Sequence, residues 1–212
     1  MIDMARMKSP YSAAVTGGGF LFEETDLLLP LLMSPDKDNL LKDEILHNNI
    51  LHINAETARS RNVHEIKKRF EGMSMDFWKA YQAMDEPDRK VALFFVILKT
   101  YKIIFDFHIN VGMRKWNSVT KQIERQDLMI EFDEIGMKDA FVESWSDNTK
   151  RKIASSYLTI LRKIGMADNK GVLRQLNISN PEFYLNGLGE PWFLEATFMA
   201  PYQIENLKKQ LV

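Results

Sequence analysis

Val91-Ala92-Leu93-Phe94-Phe95-Val96-Ile97-Leu98-Lys99-Thr100-Tyr101-Lys102 is the stretch on which the fold turns. Its first eight residues are wholly apolar, and apolar character continues to Val111, broken by Lys99, Lys102, Asp106 and His108. A membrane-spanning helix needs roughly 20 predominantly apolar residues, and charges near a bilayer centre are costly. The stretch therefore reads as a helix buried on all sides inside a soluble protein. Asp85-Glu86-Pro87-Asp88 just before it is a helix start with proline in the first turn. Phe94, Phe95, Tyr101, Phe105 and Phe107 supply core aromatics. Downstream, Trp116 to Met129 is a further helical candidate and Phe132 to Gly136 a hinge. Residues 74–136 thus form a central helical bundle.

Working outward towards the amino terminus, residues 1–73 form a second helical unit. Met1 is followed by Ile2, Asp3 and Met4, then Arg6 and Lys8, with no apolar run, so a secretory leader is not expected. The opening ten residues read as frayed. Thr16-Gly17-Gly18-Gly19 is a turn with room for close backbone packing; it lacks the Lys-Ser/Thr ending of a phosphate-binding loop. Phe20 to Leu32 is a short helix, broken at Ser34-Pro35-Asp36. Asp38 or Asn39 caps the next helix, which ends at Asn48-Asn49. Asn54 is placed to cap a helix from Ala55 onward, whose inward positions are Val63, Ile66 and Phe70 at i, i+3 and i+7. Asn62 leaves open whether that stretch is one helix or two.

Towards the carboxyl terminus, residues 137–212 form a third unit. Lys138 to Trp145 is a short helix, Ser146-Asp147-Asn148 a turn and cap, and Thr149 to Ile164 a longer helix. Its stripe is Ile153, Ala154, Tyr157, Leu158, Leu161 and Ile164, and Gly165 is a C-cap. A short β ribbon over Met166 to Ile178, turned at Lys170-Gly171, is expected next, then one or two packed helices. Helix, turn, helix and ribbon make the plan of a winged helix-turn-helix. The fold class expected is mainly α: a helical bundle with helix-turn-helix-like units and a C-terminal winged element.

Chemistry is scarce in this chain. Cysteine is absent from the 212 residues, which removes disulfides, thiolate metal sites and cysteine nucleophiles. His47, His52, His64 and His108 lack zinc-helix spacing and read as partly exposed helical histidines. The pairs Glu23-Glu24 and Asp133-Glu134 are sequence neighbours, which do not share a helical face. Ser155 and Ser156 lie mid-helix, without the sharp turn that exposes a nucleophile. The twelve methionines are dispersed as core filler. Neither an enzyme nor a metal or cofactor is expected.

Charge is more informative. The net charge is −1, from 28 basic and 29 acidic residues, but residues 56–70 carry a net +3 and residues 147–174 a net +5. Local fields decide where a polyanion approaches. The candidate DNA-binding residues of the first patch are Arg59, Arg61, Asn62, Lys67 and Lys68; Arg69 borders the apolar side, where its stem can snorkel. Those of the second are Asn148, Thr149, Lys150, Arg151, Lys152 and Ser155 around one helix, with Lys170 at the ribbon tip and Arg174 on its returning arm. A helix N-terminus with free N–H groups favours phosphate. Double-stranded DNA is favoured over single strands, since stacking aromatics are not interleaved with these residues. Solvated charge and a protein-binding face are the competing readings.

Three segments together carry a family resemblance. They are Tyr11-Ser12-Ala13-Ala14-Val15-Thr16-Gly17-Gly18-Gly19-Phe20-Leu21-Phe22-Glu23-Glu24, the basic stretch Thr57 to Phe70, and Trp145-Ser146-Asp147-Asn148-Thr149-Lys150-Arg151-Lys152-Ile153-Ala154 with Leu161-Arg162-Lys163-Ile164-Gly165-Met166. They resemble BrxA, the small component of bacterial BREX phage-defence systems, over most of the chain. The resemblance implies a cytoplasmic, non-enzymatic DNA-binding protein with a helical core like that of the antitermination protein NusB. It also implies other BREX proteins as partners, in a system that tells self from phage DNA by methylation, with methyltransferase, ATPase and phosphatase-like companions. It brings no catalytic residues. An adaptor gripping acidic partners, or an RNA-binding module, are the alternative functions.

Overall fold

The computed structural model describes residue 6 and residues 8–210; the start Met1-Ile2-Asp3-Met4, read above as leaderless, lies outside them. The helices are α1 (Val15–Gly18), α2 (Phe22–Leu32), α3 (Lys37–His47), α4 (Glu56–Glu71), α5 (Met75–Ala83), α6 (Glu86–Thr100) and α7 (Lys102–Asp106). A π-helical segment, Phe107–Gly112, runs on into α8 (Met113–Trp116), followed by α9 (Arg125–Gly136), α10 (Ala140–Glu143) and α11 (Asp147–Lys163). A second π-helical turn, Phe183–Gly187, precedes α12 (Trp192–Ala196) and α13 (Pro201–Gln210).

Helix α6 is the axis. Asp85 caps it by accepting the Asp88 N–H at 3.0 Å, and every residue from Val91 to Leu98 is buried. No helix among the described residues is long and apolar enough to cross a membrane. The helix stops at Tyr101, whose backbone is extended. Arg69 of α4 secures that stop. Its Nε donates to the Tyr101 hydroxyl at 2.9 Å, Nη1 to the Phe20 carbonyl at 2.7 Å and Nη2 to the Gly19 carbonyl at 2.6 Å. The Tyr101 hydroxyl in turn donates to Glu65 at 2.7 Å. One buried guanidinium thus joins α4, the end of α6 and the triple-glycine segment. That segment is the helix α1 closed by Gly19 at φ +59°, more ordered than the turn expected. A Cβ on Gly17 would sit 2.3 Å from Cδ of the exposed Arg61 side chain, which would have to swing aside.

Helix α4 is unbroken through Asn62, and its cap position is Ala55, not Asn54. Between α8 and α9 the structure corrects the sequence reading. Asn117 to Glu124 is not helical, and Phe132 to Gly136 is helix, not hinge. Lys121 sits at φ +46°, and a reciprocal Glu124–Asp127 capping box starts α9 only at Arg125.

The winged element is also corrected. Among the described residues there is no strand, only the isolated bridges Gln122–Val172 and Ala167–Leu173. The reason is length. Helix α11 runs to Lys163 and closes with the Met166 N–H on the Leu161 carbonyl at 2.8 Å, leaving only Met166 and Ala167 ahead of the turn. Asp168 then accepts the Lys170 and Val172 N–H groups at 2.8 and 3.0 Å. The return bonds that short arm only through Arg174 N–H on Met166 and Asp168 N–H on Val172; otherwise Ile123 N–H bonds Gly171, Leu173 N–H bonds Lys121, and Leu176 N–H bonds Thr197. A compact knot replaces a ribbon.

His108 is likewise not a partly exposed helical residue. It is fully buried in the π-helical segment. Its Nε2 donates to the Ala196 carbonyl at 2.6 Å, so Nδ1 accepts from the Tyr157 hydroxyl at 2.9 Å. Burial lowers its pKa to about 4. The buried apolar residues form one contiguous cluster from Val15 to Ile204.

Candidate nucleic-acid interface

The helix α11 sets the geometry. Ser146 caps it, accepting the Thr149 N–H at 3.2 Å. Over its 17 residues Ile153, Ala154, Tyr157, Ile160 and Leu161 are buried, and at 100° per residue they occupy one side. The other side carries Asn148, Arg151, Lys152, Ser155, Ser156, Thr159, Arg162 and Lys163. Beyond Asp147 in the first turn this helix contains no acid. Among the described residues Arg151, Lys152, Arg162 and Lys163 form no ion pair, while many other basic groups of the chain do. Four cations thus lie along ~18 Å of helix, outside any ion pair among the described residues.

The short helix α10 and the turn at Ser144 precede α11, and α9 packs against both. Lys170 is exposed at the tip of the knot. Arg174 is exposed too, but lies 3.5 Å from Asp168. Ser155 turns its hydroxyl back to the Arg151 carbonyl at 2.8 Å, and Thr149 shares its hydroxyl with Ser146. Lys150 departs from the expected surface: it is buried, with Nζ 3.9 Å from Glu143, because its position faces inward with Ile153 and Tyr157.

The first patch is more divided. Arg59 is buried and structural. Its guanidinium donates to the carbonyls of Ile45 and Ile53 at 2.7 and 2.6 Å, closing the end of α3. Glu44 completes that closure from the other side, accepting the N–H groups of Asn49, Ile50 and Leu51. Lys67 is held by Asp38 at 2.6 Å, with Glu71 at 3.8 Å; that hydrogen bond raises the lysine pKa and lowers the Asp38 pKa. Arg61 and Lys68 remain exposed, Lys68 with its ammonium 5.0 Å from the Tyr101 ring centre. Asn62 is half-buried between them.

Helices α4 and α11 both pack on α1, so the glycine-rich helix lies between the two basic ones. Arg162 and Lys163 were not among the contact residues expected from sequence. Their signal was present: each lies eleven residues after Arg151 or Lys152, three turns along the same face.

A family model described as BrxA matches residues 9–181 of this chain. A BREX protein BrxA of Bacillus cereus (strain H3081.97) is 23% identical over 190 residues, covering 87% of this chain and 94% of that protein. The crystal structure of an uncharacterized protein from Magnetospirillum magneticum aligns with a TM-score of 0.74 at 20% identity, covering 89% of this chain and 98% of that one. At that identity the likeness speaks to fold alone.

Proposed function

The chain belongs to the BrxA family, and from that premise we propose that it is a non-enzymatic, DNA-binding accessory protein of a BREX-type phage-defence system. The observation that carries the reading is the outer face of α11, whose single acid is Asp147 in the first turn, with Arg151, Lys152, Arg162 and Lys163 outside any ion pair among the described residues. Such a face contacts duplex phosphates through its cations and leaves Asn148 and the N-terminal turn to meet base edges or further phosphates. Lys170 extends the contact from the knot, and Arg61 with Lys68 add a second anchor across α1. Arg59 and Lys150 serve packing, and Lys67 is half neutralised by Asp38. The proposed mechanism is binding by charge and shape.

The test is charge reversal. Arg151→Glu combined with Lys152→Glu is expected to abolish detectable duplex binding while the circular dichroism spectrum is retained. Unchanged duplex binding by that folded variant refutes the assignment. Tighter binding of structured RNA than of duplex DNA in direct competition refutes the choice of nucleic acid.

A further inference from the structure

A second concave feature lies outside the basic faces and has the opposite charge. It is a recess of about 340 Å³ between the Tyr11 segment, α7, the π-helical segment and α9, more than ten times the roughly 30 Å³ share of one water. Four carboxylates, Asp106, Glu131, Glu134 and Asp139, line it together with two lysines, Lys102 and Lys138, so acids outnumber cations there. Two of the carboxylates already have partners. Asp106 accepts from the Tyr11 hydroxyl at 2.8 Å and pairs with Lys102. Asp139 caps α10 through the Phe141 and Val142 N–H groups.

Glu131 is different. It is 3% exposed. Its Oε1 accepts from Asn110 at 2.7 Å, while Oε2 has no hydrogen-bond partner among the described residues. The nearest cation is Arg114, 4.0 Å away on a side chain that is 67% exposed. A buried carboxylate oxygen without a donor is costly, and here it belongs to a residue lining a recess. Glu134 stands at the mouth. About one turn to either side of Glu134 along α9, outside the recess itself, the apolar Ile130 is 51% exposed and Met137 is 86% exposed.

We propose that this recess receives a lysine or arginine side chain of a protein partner, with Glu131 and Glu134 holding the cation and Ile130 and Met137 meeting apolar neighbours of that residue. A buried carboxylate inside a recess, with exposed apolar side chains one turn to either side of the acid at its mouth, suits a protein contact. A free polyamine would use the carboxylates and leave Ile130 and Met137 uncovered, so a protein source is favoured. The inference is independent of the DNA reading, because it uses none of the basic residues of α4 or α11.

The experiment titrates the full-length chain with an acetylated, amidated peptide in which one arginine is flanked by leucines. The control is the same peptide with citrulline at that position. The arginine peptide is expected to bind at least about tenfold more tightly, and Glu131→Gln to remove about that factor. The Asn110 side-chain amide resonances should shift on titration. Should Glu131→Gln fail to fold, Glu134→Gln at the exposed rim is expected to weaken binding in the same direction. Arg151→Glu should leave it unchanged. Equal binding of the two peptides, indifference to Glu131→Gln or to Glu134→Gln, or spermidine binding as tightly as the peptide would each overturn the proposal.

Discussion

Two buried polar residues carry much of the architecture, and both make testable demands. Arg69 satisfies two carbonyls and a tyrosine hydroxyl from inside the core. Replacing it with leucine takes the donor from two carbonyls and the Tyr101 hydroxyl, so Arg69→Leu is expected to cost about 3–5 kcal/mol in urea unfolding. A loss below about 1 kcal/mol would show that the clasp is dispensable. His108 makes a pH-dependent demand. In the fold it stays neutral down to about pH 4, while in the unfolded chain it protonates near 6.5. Between those values the unfolded state holds more protons, so stability is full above pH 6.5 and falls towards pH 4, by about 3 kcal/mol at the limit. Unfolding at pH 7 and pH 5 should show this drop, and His108→Gln should reduce it; a drop of the same size in both proteins would contradict the assignment. Neither role was legible in the sequence. His108 is satisfied by Ala196 and Tyr157, and Arg69 by Gly19 and Phe20, all distant along the chain. For the same reason Arg59 and Arg61 look alike in sequence, yet one closes a helix end and the other faces solvent.

Helices with a clean period or a clear cap were readable. The eight-residue apolar run marked α6 as central, and the Ile153–Ile164 stripe marked the inner side of α11. What failed were segments whose conformation is set by what they dock against. Asn117–Glu124 has apolar residues at helical intervals, but its backbone is drawn into the knot with Gly171 and Leu173. The expected ribbon failed on its first arm, where only Met166 and Ala167 lie between the closing turn of α11 and the Asp168 turn, enough for the single bridge Ala167–Leu173. Gly171 is the hinge of the knot. It adopts φ +80°, and a Cβ there would lie 2.2 Å from the Ile123 carbonyl oxygen. Gly171→Ala is therefore expected to destabilise by about 1–3 kcal/mol and to raise hydrogen exchange at the Ile123 amide. Wild-type stability and exchange would mean that the knot is not built as described. A stable Gly171→Ala variant with a displaced Lys170 would be a direct probe of that residue's share in DNA binding.

Across the whole molecule, a net charge of −1 conceals an uneven surface. Ion pairs cancel much of the charge elsewhere, while the outer face of α11 is left positive and the α7–α9 recess negative. The concentration of charge near residues 147–174 was legible in the sequence, and the inner stripe of α11 also carried which cations face outward. That depended on the phase of α11, which removes Lys150 and adds Arg162 and Lys163. The decisive experiment is a salt titration of duplex DNA affinity between about 50 and 200 mM. Removing one cation that meets a phosphate should flatten the plot of log affinity against log salt by about 0.9. The quadruple variant Arg151→Ala, Lys152→Ala, Arg162→Ala, Lys163→Ala is expected to bind weakly, with a slope reduced by about three to four. A folded quadruple variant with the wild-type slope and affinity would contradict the assignment of α11 as the DNA-binding face.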